Sequence, residues 1–311
     1  MRVVFFGTPE FAVPSLEALL GEGFDVVAAV TQPDKPQGRS RSTAVPPPVK
    51  LAAEAEGVPV LQPARPTEAE FVAQVRALAP DVGVVVAYGH ILKPDLLALP
   101  RRGMINVHPS LLPELRGAAP VEWAILNGLE KTGVTIMLMD AGLDSGPILH
   151  QIPHHIDPEV TGGELSEHLS EMGAQALVEA LALLETDGLK ARPQDHARAS
   201  YAPKLTRETA RIPWGEPAER VARVIRGLDP KPGAWTELDG HEVKLFRARV
   251  VEDRGDPPSP PGEARTTDDE LRITTGRGAV AVAEVQPAGR ARMSAADWVR
   301  GRGVRTGQRF T

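Results

Sequence analysis

Four short apolar runs, set apart by helix-like segments, constrain this chain most: Arg2–Gly7, Asp25–Thr31, Val82–Ala87 and Met104–His108. Valine dominates them, without the polar–apolar alternation of a strand that keeps one face in water. Such runs suit strands covered on both sides, and the segments between them supply the covers. Pro14–Leu20, Val49–Glu56, Glu68–Leu78 and Pro94–Leu99 carry helical spacing. The first of these has proline in its opening turn, where the missing N–H is not needed. Val58–Leu61 adds a short strand, and Pro120–Leu126 a further helix. Val134–Met139 and Pro147–Ile152 read as a hairpin around the loop Asp140–Gly146. A long amphipathic helix follows over Gly163–Glu185. Strands and helices in alternation predict an α/β domain built on a Rossmann-like parallel sheet.

The chain then changes character. Residues 189–207 hold Pro193 and Pro203 among mixed charges and read as a linker. Beyond them come a helix at Ala218–Gly227 and short strands at Ala234–Leu238, Glu242–Val250, Leu271–Thr274 and Val280–Gln286. The proline-rich stretch Asp256–Gly262 interrupts these as a loop. Short strands with turn signals predict a small, OB-like β-barrel. The expected division is therefore residues 1–188 as the catalytic domain, 189–207 as the linker and 208–311 as the barrel.

At 311 residues the chain can bury two cores. It has no cysteine, which excludes disulfides, thiolate metal sites and a cysteine nucleophile. No apolar run approaches the roughly 18–20 residues that span a bilayer, and the first run is too short for a signal peptide. A cytoplasmic monomer is expected. Charge is unevenly shared: residues 1–204 carry a net −9 and residues 205–311 a net +3. Arg290, Arg292, Arg300, Arg302, Arg305 and Arg309 crowd the C-terminal end against a single acid, Asp297. That end reads equally as a polyanion-facing surface or as a solvated tail.

Chemistry concentrates at Asn106-Val107-His108-Pro109-Ser110-Leu111-Leu112-Pro113 and at Asp140-Ala141-Gly142-Leu143-Asp144-Ser145-Gly146. Residues two apart on a strand point to one side of the sheet, so Asn106 and His108 can converge on one reacting atom. They sit at the carboxyl end of an apolar strand, the edge where open α/β sheets bind ligands. Asp144 offers a carboxylate to orient and charge the imidazole. An amide, an imidazole and a carboxylate suit acyl transfer through a tetrahedral intermediate with no covalent enzyme adduct. Gly7-Thr8-Pro9 after the first strand lacks the G-x-G-x-x-G of a dinucleotide site. The histidines, including His154-His155, show no metal-ligand spacing, and no metal is expected. Asp34–Thr43 is a long, polar, basic loop of the kind that often carries function.

The segment Asn106–Pro113, continued by Glu114-Leu115-Arg116-Gly117-Ala118-Ala119-Pro120, resembles the signature of the folate-dependent formyltransferases. Gly7–Phe11, Thr31–Asp34, Val85–Gly89, Thr132–Met137 and Gln286–Gly289 extend the resemblance almost end to end. The Arg116–Pro120 continuation and the C-terminal barrel resemble the tRNA-acting branch. Leu115 departs from the family pattern, which usually has an aromatic residue there.

The resemblance implies transfer of a formyl group from 10-formyltetrahydrofolate to the α-amino group of methionine on initiator tRNA. It implies Asn106, His108 and Asp144 as catalytic residues. It places the folate against Val86, Ala87, Tyr88, Gly89, Ile91 and Leu92, with Ser110, Leu111, Leu112, Pro113, Asp140 and Gly142 nearby. It assigns tRNA contacts to Lys35, Arg39, Arg41, Arg290 and Arg292, with Arg39 foremost. Two alternatives stay open. A relative that formylates a small amine would not need the basic barrel, and an RNA-binding module would not need Asn106, His108 or Asp144.

Overall fold

The computed structural model describes residues 1–37, 43–186, 188–252, 259–267 and 269–311. The chain divides into two compact units, each assembled from separate segments. The first comprises residues 1–117, 132–154 and 166–201, and the second 118–131, 155–165 and 202–311.

The first unit is built on a seven-stranded sheet. Its order is Ile148–His155, Lys131–Leu138, Met104–His108, Val82–Val86, Arg2–Gly7, Asp25–Val30 and Val60–Leu61. The strands from Met104–His108 across to Val60–Leu61 run parallel, as the valine-rich runs require. Lys131–Leu138 joins the other side antiparallel to Met104–His108, so the expected parallel sheet carries an antiparallel margin. Every residue of Val82–Val86 is buried. Register pairs Gly7 with Val86 and Val85 with Asn106, bringing three strand ends to one edge.

Small residues bring the layers close. A Cβ at Gly83 would lie 1.9 Å from the Met104 sulfur. On the long helix Gly162–Glu185, a Cβ at Gly173 would lie 2.9 Å from Val107. Ser170 on that helix donates to the Phe11 carbonyl at 2.7 Å. The helix therefore clamps the strand that carries Asn106 and His108.

The second unit holds an antiparallel sheet ordered Ala234–Leu238, His241–Val251, Ala279–Pro287, Leu271–Thr274, Ala264–Thr266, with Met293–Ser294 added beside Ala279–Pro287. Its two edges meet through the end of the chain. Phe310 bridges to Leu238 and Arg309 to Glu263, closing the expected barrel. Phe310 is 1% exposed, with Trp214 and Trp298 rings 5.9 and 6.4 Å away. The arginine-rich end is thus ordered rather than a solvated tail. It includes a helix, Ala295–Arg300, whose Ser294 cap accepts from the Asp297 N–H at 3.0 Å.

Two stretches group differently from the division read in the sequence. Segments 118–131 and 155–165 join the second unit rather than the domain expected for residues 1–188. The apolar face of Pro120–Leu126 accounts for the first, because it packs on helix Ala218–Gly227. Nor is 189–207 a slack linker. Arg192 pairs with Ile148, Gln194 is buried, and Ser200 accepts from the Arg116 N–H at 2.9 Å. Within the Asp34–Thr43 loop, Lys35–Gln37 pairs with Thr43–Val45 as a short ladder, and residues 38–42 lie outside the described residues.

Barrel closure through one buried ring makes Phe310→Ala costly. Urea denaturation should show about 3–5 kcal/mol lost from the barrel transition. A loss under about 1 kcal/mol would mean that Phe310 does not close the barrel.

Candidate active site

The strand Met104–His108 presents alternate residues to alternate faces. Val107 is 2% exposed and points into the helix layer, which leaves Asn106 and His108 on the opposite face. Asn106 is half-buried, and among the described residues its amide makes no hydrogen bond to protein. His108 is buried, and its Nε2 lies 3.0 Å from the Leu115 carbonyl oxygen. A carbonyl only accepts, so Nε2 carries the hydrogen and Nδ1 faces the other way. Opposite Nδ1, at 3.9 Å, stands Oδ2 of Asp144. That separation exceeds a direct hydrogen bond and leaves room for a bridging group.

Asp144 is fixed from three directions. Its Oδ2 accepts from the Gly117 N–H at 2.9 Å. Its backbone is left-handed, with φ of 47°. Its carbonyl accepts from Nε2 of Gln194 at 2.9 Å, and the same nitrogen donates to the Gly146 carbonyl at 2.7 Å. Gln194 Oε1 in turn accepts from Arg116 Nε at 3.1 Å and Nη2 at 2.6 Å. Arg116 is 4% exposed; its other partner is His196 Nδ1, at 3.2 Å from Nη2. A buried guanidinium and a buried amide thus grip the loop that bears the carboxylate.

The departure at Leu115 becomes intelligible here. Leu115 contributes its backbone: the carbonyl accepts from His108, and the N–H donates to Ser200 Oγ at 2.9 Å. Its φ is 58°, a conformation that costs a non-glycine residue about 1–3 kcal/mol. Its side chain is simply buried apolar packing.

The neighbouring loop after Val82–Val86 is held through one carbonyl. Tyr88 O accepts from Thr8 Oγ1 and from Gln32 Nε2, both at 3.0 Å. Gln62 Nε2 donates to Gln32 O at 2.9 Å and to Asp34 at 2.8 Å, and Lys50 closes an ion pair with Asp34 at 2.9 Å. The Gln62 and Lys50 bonds hold the Asp34 carboxyl below its usual pKa. Thr8, Gln32 and Asp34 thereby brace the loop. Ala87, Gly89 and Ile91 are exposed, while Val86, Tyr88 and Leu92 are buried. Burial pushes the Tyr88 hydroxyl up to about 12.

Of the remaining expected folate contacts, Leu111 and Pro113 are half-buried and Gly142 is exposed. Ser110 is buried and donates to the Glu114 carbonyl at 2.6 Å. Leu112 has both backbone groups engaged, its N–H with Thr135 Oγ1 at 3.1 Å and its carbonyl with Gln151 at 3.0 Å. Asp140 accepts from Gly142 N and Ser145 Oγ, each at 2.9 Å, which shapes the exposed loop.

Among the expected tRNA contacts, Lys35 is exposed and donates to Gln32 Oε1. Arg290 is exposed. Arg292 pairs with Asp229 at 2.8 Å and with Glu284, and lies 4.0 Å over the Phe246 ring, so it braces the second unit. Arg39 and Arg41 lie outside the described residues. Among the described residues no group of histidines and carboxylates could hold a metal. No helix among them is long and apolar enough to cross a membrane.

A mixed sheet whose parallel edge presents a free amide, a tautomer-locked imidazole and a braced carboxylate is equipped for acyl-type transfer. The chain belongs to the formyl transferase family: residues 1–181 match the formyl transferase model and residues 204–303 match the model of the family's C-terminal domain. Within that family it groups with the methionyl-tRNA formyltransferases. It is 48% identical to that of Roseiflexus sp. (strain RS-1), over the whole chain and 95% of the relative. It is 46% identical to that of Pelotomaculum thermopropionicum, over 97% of the chain and 96% of the relative. In fold it resembles HypX from Aquifex aeolicus, with a TM-score of 0.70 at 19% identity. That likeness takes in 98% of this chain but only 48% of HypX, so the chain spans about half of that protein. The sugar 3N-formyl transferase WlaRD matches with a TM-score of 0.69 at 16% identity, over 94% of this chain and 99% of WlaRD.

Gln194, in the proline-marked stretch 189–207, and the buried role of Arg116 carry no local sequence signal. Gln194→Ala frees two carbonyls of the Asp144 loop and leaves Arg116 without its oxygen partner. Formyl transfer should slow by about a hundredfold, as for a misplacement of roughly 1 Å, with the thermal transition retained. An unchanged rate would show that the loop holds itself.

Proposed function

We propose that this chain transfers the formyl group of 10-formyltetrahydrofolate to the α-amino group of methionine carried by initiator tRNA. The observation that carries this reading is the pairing of His108 Nδ1 with Asp144 Oδ2 across 3.9 Å, on the strand face that also bears the unpartnered Asn106 amide. The full-length likeness to methionyl-tRNA formyltransferases supports the choice of acceptor.

The free amine attacks the formyl carbon, and negative charge builds on the formyl oxygen. Asn106 donates to that oxygen through its amide. His108 has spent its Nε2 hydrogen on Leu115, so Nδ1 is the nitrogen that donates when the ring is protonated. Asp144 takes the proton the amine loses, through a group bridging the gap, and passes it to N10 of the departing folate. The formyl carbon–nitrogen bond to folate breaks as the bond to methionine forms, and the proton count closes. Charge developing in a site that excludes water is where preorganised donors act most strongly.

The flat pteridine pairs with backbone groups of Ala87–Ile91 and of the Asp140–Asp144 loop, where exposed backbone is available. The tRNA contacts Lys35, Arg39 and Arg41 at the acceptor end and Arg290 elsewhere on its phosphates. The protein works in the cytoplasm as a monomer, with no metal.

Asn106→Ala, His108→Ala and Asp144→Ala should each raise the barrier to formyl transfer. The expected cost is about 2.7–4 kcal/mol, a hundred- to thousandfold in rate. The assay is formylmethionine release with charged initiator tRNA, and near-normal turnover in all three variants would end this reading. Arg39→Ala should weaken tRNA formylation while leaving folate binding intact. Equal loss of both would misplace the basic loop.

A further inference from the structure

The second unit contains a cavity of about 470 Å³ that the formyl-transfer reading does not use. Two arginines one helical turn apart, Arg223 and Arg226, form part of its lining. Arg226 is 9% exposed, and among the described residues its side chain makes one hydrogen bond, from Nη1 to the Ala248 carbonyl at 3.0 Å. The Arg223 guanidinium lies over bare Gly128, where a Cβ would come within 2.7 Å of Nη1. The Nε of each arginine is shut away from solvent and donates to nothing. Among the described residues, neither guanidinium is paired with a carboxylate. Burial lowers the pKa of Arg226; Glu159 and Asp157 oppose this from a distance, and the Arg223 charge adds to it.

A buried guanidinium with no carboxylate in contact is expensive to keep, and the half-buried Arg223 beside Arg226 adds to that cost. Paired guanidinium forks match the oxygens of a phosphoryl group bidentately. Glu130, Asp157, Glu159 and Glu219 also line the cavity, and among the described residues none is within ion-pair distance of Arg223 or Arg226; Asp157 and Glu159 suit sugar hydroxyls, as acidic residues do in ribose sites. Ile125, Ile156 and the 44% exposed Val250 supply an apolar wall. The volume falls in the range of about 300–1,000 Å³ typical of small-molecule sites.

We propose that this cavity binds a free nucleoside monophosphate. Its phosphoryl group lies on Arg223 and Arg226, its ribose hydroxyls on Asp157 and Glu159, and its base on the apolar wall.

Calorimetric titration of the full chain with the four 5′-ribonucleoside monophosphates tests this. Adenosine, inorganic phosphate and a short single-stranded oligoribonucleotide serve as the other probes. At least one mononucleotide should bind, with adenosine and inorganic phosphate at least about tenfold weaker. Arg223→Met should lower mononucleotide affinity at least about tenfold. Val250→Asp, at an exposed position, should do the same by setting a carboxylate in the apolar wall that holds the base. Absence of mononucleotide binding would overturn the proposal, as would binding indifferent to both variants. Equal affinity for inorganic phosphate would mean an adventitious ion only. Binding of the oligoribonucleotide with every mononucleotide inert would assign the cavity to an RNA chain and overturn it equally.

Discussion

The hydrogen bond from His108 Nε2 to the Leu115 carbonyl is the constraint on which the site depends. It settles which ring nitrogen is free, and it is made by a backbone group in a left-handed residue. Two residues later the Gly117 N–H fixes Oδ2 of Asp144. One short turn therefore aims both members of the pair, and their 3.9 Å separation follows from backbone geometry rather than from mutual attraction. A direct ion pair would close that gap, which leaves room for a bridging group. The long helix pressed on Val107 through Gly173, and the buried Arg116–Gln194 pair behind Asp144, keep strand and loop from drifting together.

The same economy runs along the sheet edge. The Tyr88 carbonyl collects two donors from two other strand ends, and the Asp34–Lys50–Gln62 group ties those ends to a further helix. The polar residues after the first two strands thus act as braces for a loop exposed at Ala87, Gly89 and Ile91. Such networks are stiff because each member has its partners. Their cost is backbone strain, seen in the left-handed Ala87, Leu115 and Asp144.

Much of this was legible in the sequence. Unbroken valine runs identify strands covered on both faces, and the strands of the first unit fall where those runs lie. Asn106 and His108 are readable because strand periodicity is local and exact in sign. What was not legible is what joins distant stretches. Gln194 meets Asp144 across 50 residues and Arg116 across 78, and no periodicity marks either contact. Prolines around Gln194 signal irregular backbone, which reads as linker whether it is slack or buried. Segments 118–131 and 155–165 group with the second unit for the same reason: long-range packing decides, as where Pro120–Leu126 meets helix Ala218–Gly227. The arginines at the C-terminal end look alike in composition, yet Arg292 braces Asp229 while Arg290 stands exposed.

The most direct measurement is the nitrogen NMR spectrum of the His108 ring, assigned by comparison with a His108→Gln variant. The geometry requires the neutral ring to carry its hydrogen on Nε2, with Nδ1 showing the shift of an unprotonated nitrogen. On protonation, the new hydrogen should appear at Nδ1. A neutral ring protonated at Nδ1, with Nε2 bare, would contradict the Leu115 constraint and the placement of the reacting atoms that follows from it.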